Sequence, residues 1–103
     1  MPQKIIWTKY TIPFPPDAVI RVEHSIERKR VIGFVVQLEV QGKPVKRYDT
    51  AHGFTHIDRY NFRGTQKKER LYLDFNVALT LAERDIKQNW LIYRERFLRG
   101  EWP

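Results

Sequence analysis

The chain contains no cysteine, a single methionine and no long apolar run. Without thiols there is no disulfide, no thiolate nucleophile and no zinc finger, which leaves His, Asp and Glu as the only metal ligands to consider. No segment approaches the roughly 20 apolar residues that cross a bilayer, and the apolar part of residues 1–7 is too short for a secretory leader. A cytoplasmic protein with no membrane partner is therefore expected. Repeats and polar low-complexity tracts are also absent, so the chain should fold throughout. Acid is scarce too: 12 Asp and Glu face 19 Lys and Arg, a formal net charge of +7. That surplus suits nucleic acid, an acidic protein or anionic lipid, and does not choose among them.

What is present is enough for one core. A length of 103 residues, 42% of them hydrophobic, predicts a single domain over 1–103. Residues 4–12 are rich in β-branched and aromatic types and read as a strand, ended by Pro13-Phe14-Pro15-Pro16. Residues 19–27 alternate, with Ile20, Val22, His24 and Ile26 on one face; His24 sits in an apolar row and receives no role. After the basic turn Arg28-Lys29-Arg30, Phe34, Val36, Leu38 and Val40 share a face, and Gln41-Gly42 makes a two-residue hairpin. That hairpin sets Leu38 opposite Val45, Val36 opposite Arg47 and Phe34 opposite Asp49, so Arg47 and Asp49 should extend the core-facing row.

Past Gly53, Phe54, His56, Asp58, Tyr60 and Phe62 fall on one face, Arg63 to Lys68 read as a basic loop, and residues 69–73 read as a short closing strand. Phe75, Leu79, Ala82, Ile86, Trp90, Tyr93 and Phe97 then recur in steps of four and three, the mark of a helix over about 75–99, capped by Asp74 or Asn76 and stopped at Gly100. The fold class this predicts is α+β: an antiparallel β-meander of five or six strands, within 4–73, curled around one long C-terminal helix.

The run Lys43-Pro44-Val45-Lys46-Arg47-Tyr48-Asp49-Thr50-Ala51-His52-Gly53, followed by Thr55-His56-Ile57-Asp58, resembles the signature region of TumE-like proteins, toxins of prokaryotic toxin–antitoxin modules. Arg47, Tyr48, Asp49, His52 and His56 match by kind and order, while Thr50 stands where that family usually has Asn and Asp58 where it often has another His. The resemblance covers about half of the chain. It implies an RNA-directed toxin of the compact sheet-and-helix kind, with an antitoxin protein as partner.

The residues themselves suggest how such a protein would act. Arg47, Asp49, His52, His56 and Asp58 are the candidate catalytic set of a metal-independent endoribonuclease: one imidazole takes the proton of a ribose 2′-hydroxyl, the other protonates the 5′-oxygen, and Arg47 meets the charge on phosphate. An Asp would orient an imidazole. A metal reading of His52, His56 and Asp58 has the right residue types but lacks the fixed spacing of a helical His-x-x-x-His, so no metal and no cofactor is expected. Arg59, Tyr60, Arg63, Lys67, Lys68 and Arg70 form the candidate RNA-binding set, combining phosphate contacts with base stacking. The alternative is a non-catalytic nucleic-acid-binding or protein-interaction domain, whose aromatic first strand receives an antitoxin segment or, in a homodimer, a second copy.

Overall fold

Period-two alternation broken by turn residues folds the first two-thirds of the chain into strands. The computed structural model describes residues 4–103, so the first three positions of the stretch weighed above as a leader lie outside it. Six strands, β1 (Ile5–Phe14), β2 (Ala18–Glu27), β3 (Arg30–Val40), β4 (Lys43–Asp49), β5 (His56–Tyr60) and β6 (Gln66–Arg70), form one antiparallel sheet in chain order. One helix, α1 (Phe75–Leu98), covers one face through contacts with β2, β3 and β4. The α+β meander with a long C-terminal helix is thus what the chain forms. Among the described residues no helix is long and apolar enough to cross a membrane.

The helix starts where Asp74 accepts hydrogen bonds from the amides of Asn76 and Val77, and it stops at Gly100, whose φ of 79° is the left-handed value that a helix terminus needs. Ala78, Ala82, Ile86 and Phe97 are buried on its inner face, with Phe75, Leu79, Trp90 and Tyr93 half-buried around them. Arg84, Lys87 and Gln88 face outward. The stripe meets Ile20, Val22, Val36, Leu38 and Val40, each of which is worth about 1.5–3 kcal/mol when removed from water. Three aromatic pairs fix the helix along its length: Phe34 edge-on to Phe75, Phe14 stacked 4.4 Å from Trp90, and Phe62 edge-on to Phe97.

Two expectations are corrected. The Gln41-Gly42 turn forms, with φ of 53° and 75°, but a bulge between Leu38 and Glu39 slips the pairing by one residue. Leu38 lies opposite Lys46 rather than Val45, and Val36 opposite Tyr48 rather than Arg47. A one-residue slip turns every side chain over, so Lys46 and Tyr48 go under the helix and Arg47 and Asp49 project from the open face. The last strand also begins earlier than the apolar residues suggest. Gly64 closes a tight turn on the carbonyl of Asn61, and β6 is the charged segment Gln66–Arg70, while Leu71, Tyr72 and Leu73 link it to the helix. An edge strand exposed on both faces has no need of an apolar row, which is why its pattern gives no sign of it.

Candidate active site

Register decides what meets on the open face. Successive pairings carry one row across the sheet from Lys9 through Glu23, Val35, Asp49 and His56 to Arg70, and the adjacent row from Thr11 through Arg21, Gln37, Arg47 and Asp58 to Lys68. Each row is positive at the β6 end; on β4 and β5 the first carries Asp49 and His56 and the second Arg47 and Asp58. The charged groups of β4 and β5 therefore meet on one surface, opposite the helix.

At its centre, Asp49 lies opposite His56, with Oδ1 2.7 Å from the imidazole Nε2. The other carboxylate oxygen of Asp49 accepts from Arg47 Nε at 2.6 Å, and Oδ1 also accepts from the Ala51 amide at 3.0 Å. Arg47 is held from its far side as well, donating Nη1 to Gln37 Oε1 at 2.9 Å. Asp58, two residues after His56 and so on the same face, sets Oδ2 3.8 Å from the same Nε2. Asp49, His56 and Asp58 are all at least 95% buried, and Asp58 Oδ1 and His56 Nδ1 are enclosed without a hydrogen-bond partner. Among the described residues, Lys68 is the one cation that approaches that oxygen, at 3.9 Å.

The loop that covers this cluster is pinned by Thr50, whose Oγ1 accepts from the Phe34 amide at 2.9 Å. A single 3-10 turn, Ala51–Gly53, follows, with His52 in the left-handed region at φ 70°. Non-glycine residues seldom adopt that conformation, and here it leaves the exposed His52 ring stacked 6.4 Å from that of His56. Phe54 also packs against His56 and is capped by the Arg70 guanidinium, 4.5 Å from its ring centre. Tyr60, half-buried on the same face, has its phenol pushed above the usual range by burial and by the charge of Asp58.

All five candidate catalytic residues are thus brought together, but the candidate RNA-binding set is divided. Tyr60, Lys68 and Arg70 share the open face with the cluster. Arg59 and Lys67 point to the other side, where Arg59 pairs with Glu69 and Lys67 lies over the Trp102 ring, and Arg63 sits in the β5–β6 turn beside Gly100. Residues that the sequence reading left out join the site instead. Trp7, Lys9, Ser25 and Thr50 line a groove of about 690 Å³ that runs from β1 to Arg47 and Asp49, and the Trp7 indole is 76% exposed there. The alternation of β1 puts Trp7 and Lys9 on one face, but only the pairing of Lys9 with Glu23 shows which face that is.

Residues 1–102 match the family described as a domain of unknown function, DUF7718. The chain belongs to that family. No curated protein and no solved structure matches it. The likeness to TumE-like toxins accordingly rests on the residues quoted for it, and the chemistry of the site on its own geometry.

Proposed function

We propose that this protein acts on RNA in the cytoplasm, as the toxin-like member of a toxin–antitoxin pair and as a small endoribonuclease whose working surface is the open face of the sheet. The observation that carries the reading is the convergence of Arg47, Asp49, His56 and Asp58 under the exposed ring of His52, beside a positively charged strand. His52 is the imidazole that reaches a substrate, and it takes the proton of the ribose 2′-hydroxyl. Arg47, oriented by Asp49 and Gln37, meets the charge that builds on the phosphate as the 2′-oxygen bonds to phosphorus and the 5′-oxygen leaves, taking its proton from water at the open face. Lys68 and Arg70 hold flanking phosphates, and Trp7 offers a face on which a base can stack. His56, 3% exposed and already against Asp49, positions this assembly and does not touch the substrate.

The burial of His56 also supports a second reading, a domain that binds RNA on this face without cutting it, because the two-imidazole scheme then has only one imidazole at the surface. Cleavage of a short RNA and of its 2′-deoxy counterpart separates the two. The nuclease cuts only the RNA and loses about 100-fold or more in rate with His52→Ala at unchanged melting temperature. Equal RNA affinity for wild type and His52→Ala with no product from either would leave the binding domain. A parallel assay in EDTA bears on the metal independence expected from the sequence. An antitoxin segment fits best along β1, a ten-residue edge strand whose Ile5, Ile6 and Trp7 are exposed, whereas the other edge, β6, carries charge on every residue after Gln66.

A further inference from the structure

We infer that Asp49, His56 and Asp58 form a binding site for one divalent transition-metal ion beneath the open face of the sheet. One donor atom from each lies within 4.8 Å of the others. A tetrahedral ion with ligand bonds of about 2.0–2.2 Å sets its donors roughly 3.3 Å apart. The separations here, 2.7 Å from Asp49 Oδ1 to His56 Nε2 and 3.8 Å from His56 Nε2 to Asp58 Oδ2, bracket that value. The three donors, all within 4.8 Å of one another, would be drawn to the ion by movement of the side chains. The backbone need not move, because all three residues sit on paired strands, Asp49 directly opposite His56 and Asp58 two residues further along β5.

The second observation is electrostatic. Two carboxylates whose side chains are each only 6% exposed share this enclosure, and Arg47 serves just one of them. Among the described residues Asp58 Oδ1 has no hydrogen bond, and Lys68, the one cation in its reach, is 3.9 Å away with a side chain 56% exposed. A buried carboxylate with so little compensation is costly, and a cation held between Asp49 and Asp58 removes that cost. The outer contacts suit the role: Arg47 Nε on Asp49 Oδ2 fixes the carboxylate while Oδ1 faces the ion. One imidazole nitrogen with two carboxylate oxygens favours zinc or manganese over magnesium or calcium. Asp49, not the exposed His52, completes the set.

This inference shares residues with the nuclease reading but does not depend on it, since an ion can be held by a protein that cuts nothing. The test uses chain stripped with EDTA and dialysed, titrated with zinc and with manganese by calorimetry and native mass spectrometry. The expected result is one ion per chain, an affinity reduced at least tenfold by Asp58→Asn and by His56→Gln, and no change with His52→Ala. Circular dichroism shows which variants fold, and a measurement without mutation stands beside them. Only three histidines are present, so imidazole nitrogen spectra of the wild type should shift His56 on adding zinc and leave His24 in place. Failure of the wild type to bind one equivalent below millimolar zinc would overturn the inference. So would binding that His52→Ala abolishes and Asp58→Asn keeps, which is a surface histidine collecting zinc. Ion binding with no RNA cleavage would remove the nuclease and leave the site.

Discussion

Asp85→Ala is the substitution whose cost can be worked most directly from the structure. Asp85 faces the sheet from α1 and accepts four hydrogen bonds: from Lys46 Nζ at 2.8 Å and the Tyr48 hydroxyl at 2.6 Å on one oxygen, and from the Tyr93 hydroxyl at 2.5 Å and Asn89 Nδ2 at 2.9 Å on the other. Lys46, its side chain 5% exposed, has one further hydrogen-bond partner, the Tyr93 hydroxyl at 3.1 Å. Truncating Asp85 leaves a buried ammonium without its counter-charge, a change that costs about 3–5 kcal/mol. Because the Asp85 side chain is 17% exposed, water will reach the gap, and the low end, about 3 kcal/mol, is expected. Lys46→Met with Asp85→Ala removes both charges and should recover roughly 2 kcal/mol of that loss. Urea denaturation of the four proteins of this cycle measures both figures. A single-variant cost below about 1 kcal/mol, or strict additivity of the pair, would refute the argument.

The same network sets an acid limit. Burial pushes the Asp85 carboxyl up, but the hydrogen bonds from Lys46, Tyr48 and Tyr93 outweigh it and hold the group below its ordinary range. A carboxylate lowered in the fold contributes stability that is complete above its unfolded value, about 3.9, and is lost as pH falls through the folded one. Lys46 is lowered by burial, so it titrates on the alkaline side and adds no slope in acid. Stability of the wild type should therefore fall below about pH 4, and Asp85→Ala should flatten that decline.

Three further outcomes follow from particular positions. His52→Gly relieves a left-handed backbone and should keep or raise the melting temperature, by up to about 1 kcal/mol of stability, while it abolishes RNA cleavage; lost cleavage together with lost stability would return His52 to a structural role. Lys68→Ala should lower the slope of log affinity for single-stranded RNA against log salt by about 0.7, and Lys67→Ala should leave it unchanged, because β6 turns the two to opposite faces; equal effects would break that assignment. Phe97→Ala, at a ring 1% exposed, should cost about 3–5 kcal/mol in chemical denaturation, and a cost near that of a surface site would mean the helix does not pack as described.

The sequence alone determined the elements and much of their orientation. Alternation around Ile20 and Val22 marked β2, Gln41-Gly42 marked a turn, Asp74 and Gly100 bounded the helix, and the four-and-three spacing from Phe75 to Phe97 named its inner face. The spacing of His56 and Asp58 placed them on one face for the same reason: these are local periodicities of backbone geometry. Only the tertiary structure decided the partners. A hairpin drawn from its turn cannot show a bulge further along the strand, and the slip at Leu38 and Glu39 is what carries Lys46 and Tyr48 under the helix to meet Asp85 and frees Arg47 and Asp49 for the other surface. Lys46 and Asp85 lie 39 residues apart, and the ends of the open face, Lys9 and Arg70, lie further apart still. Which charges meet across such distances depends on register and on the match of buried donors to acceptors, and neither is written into any local pattern of side chains.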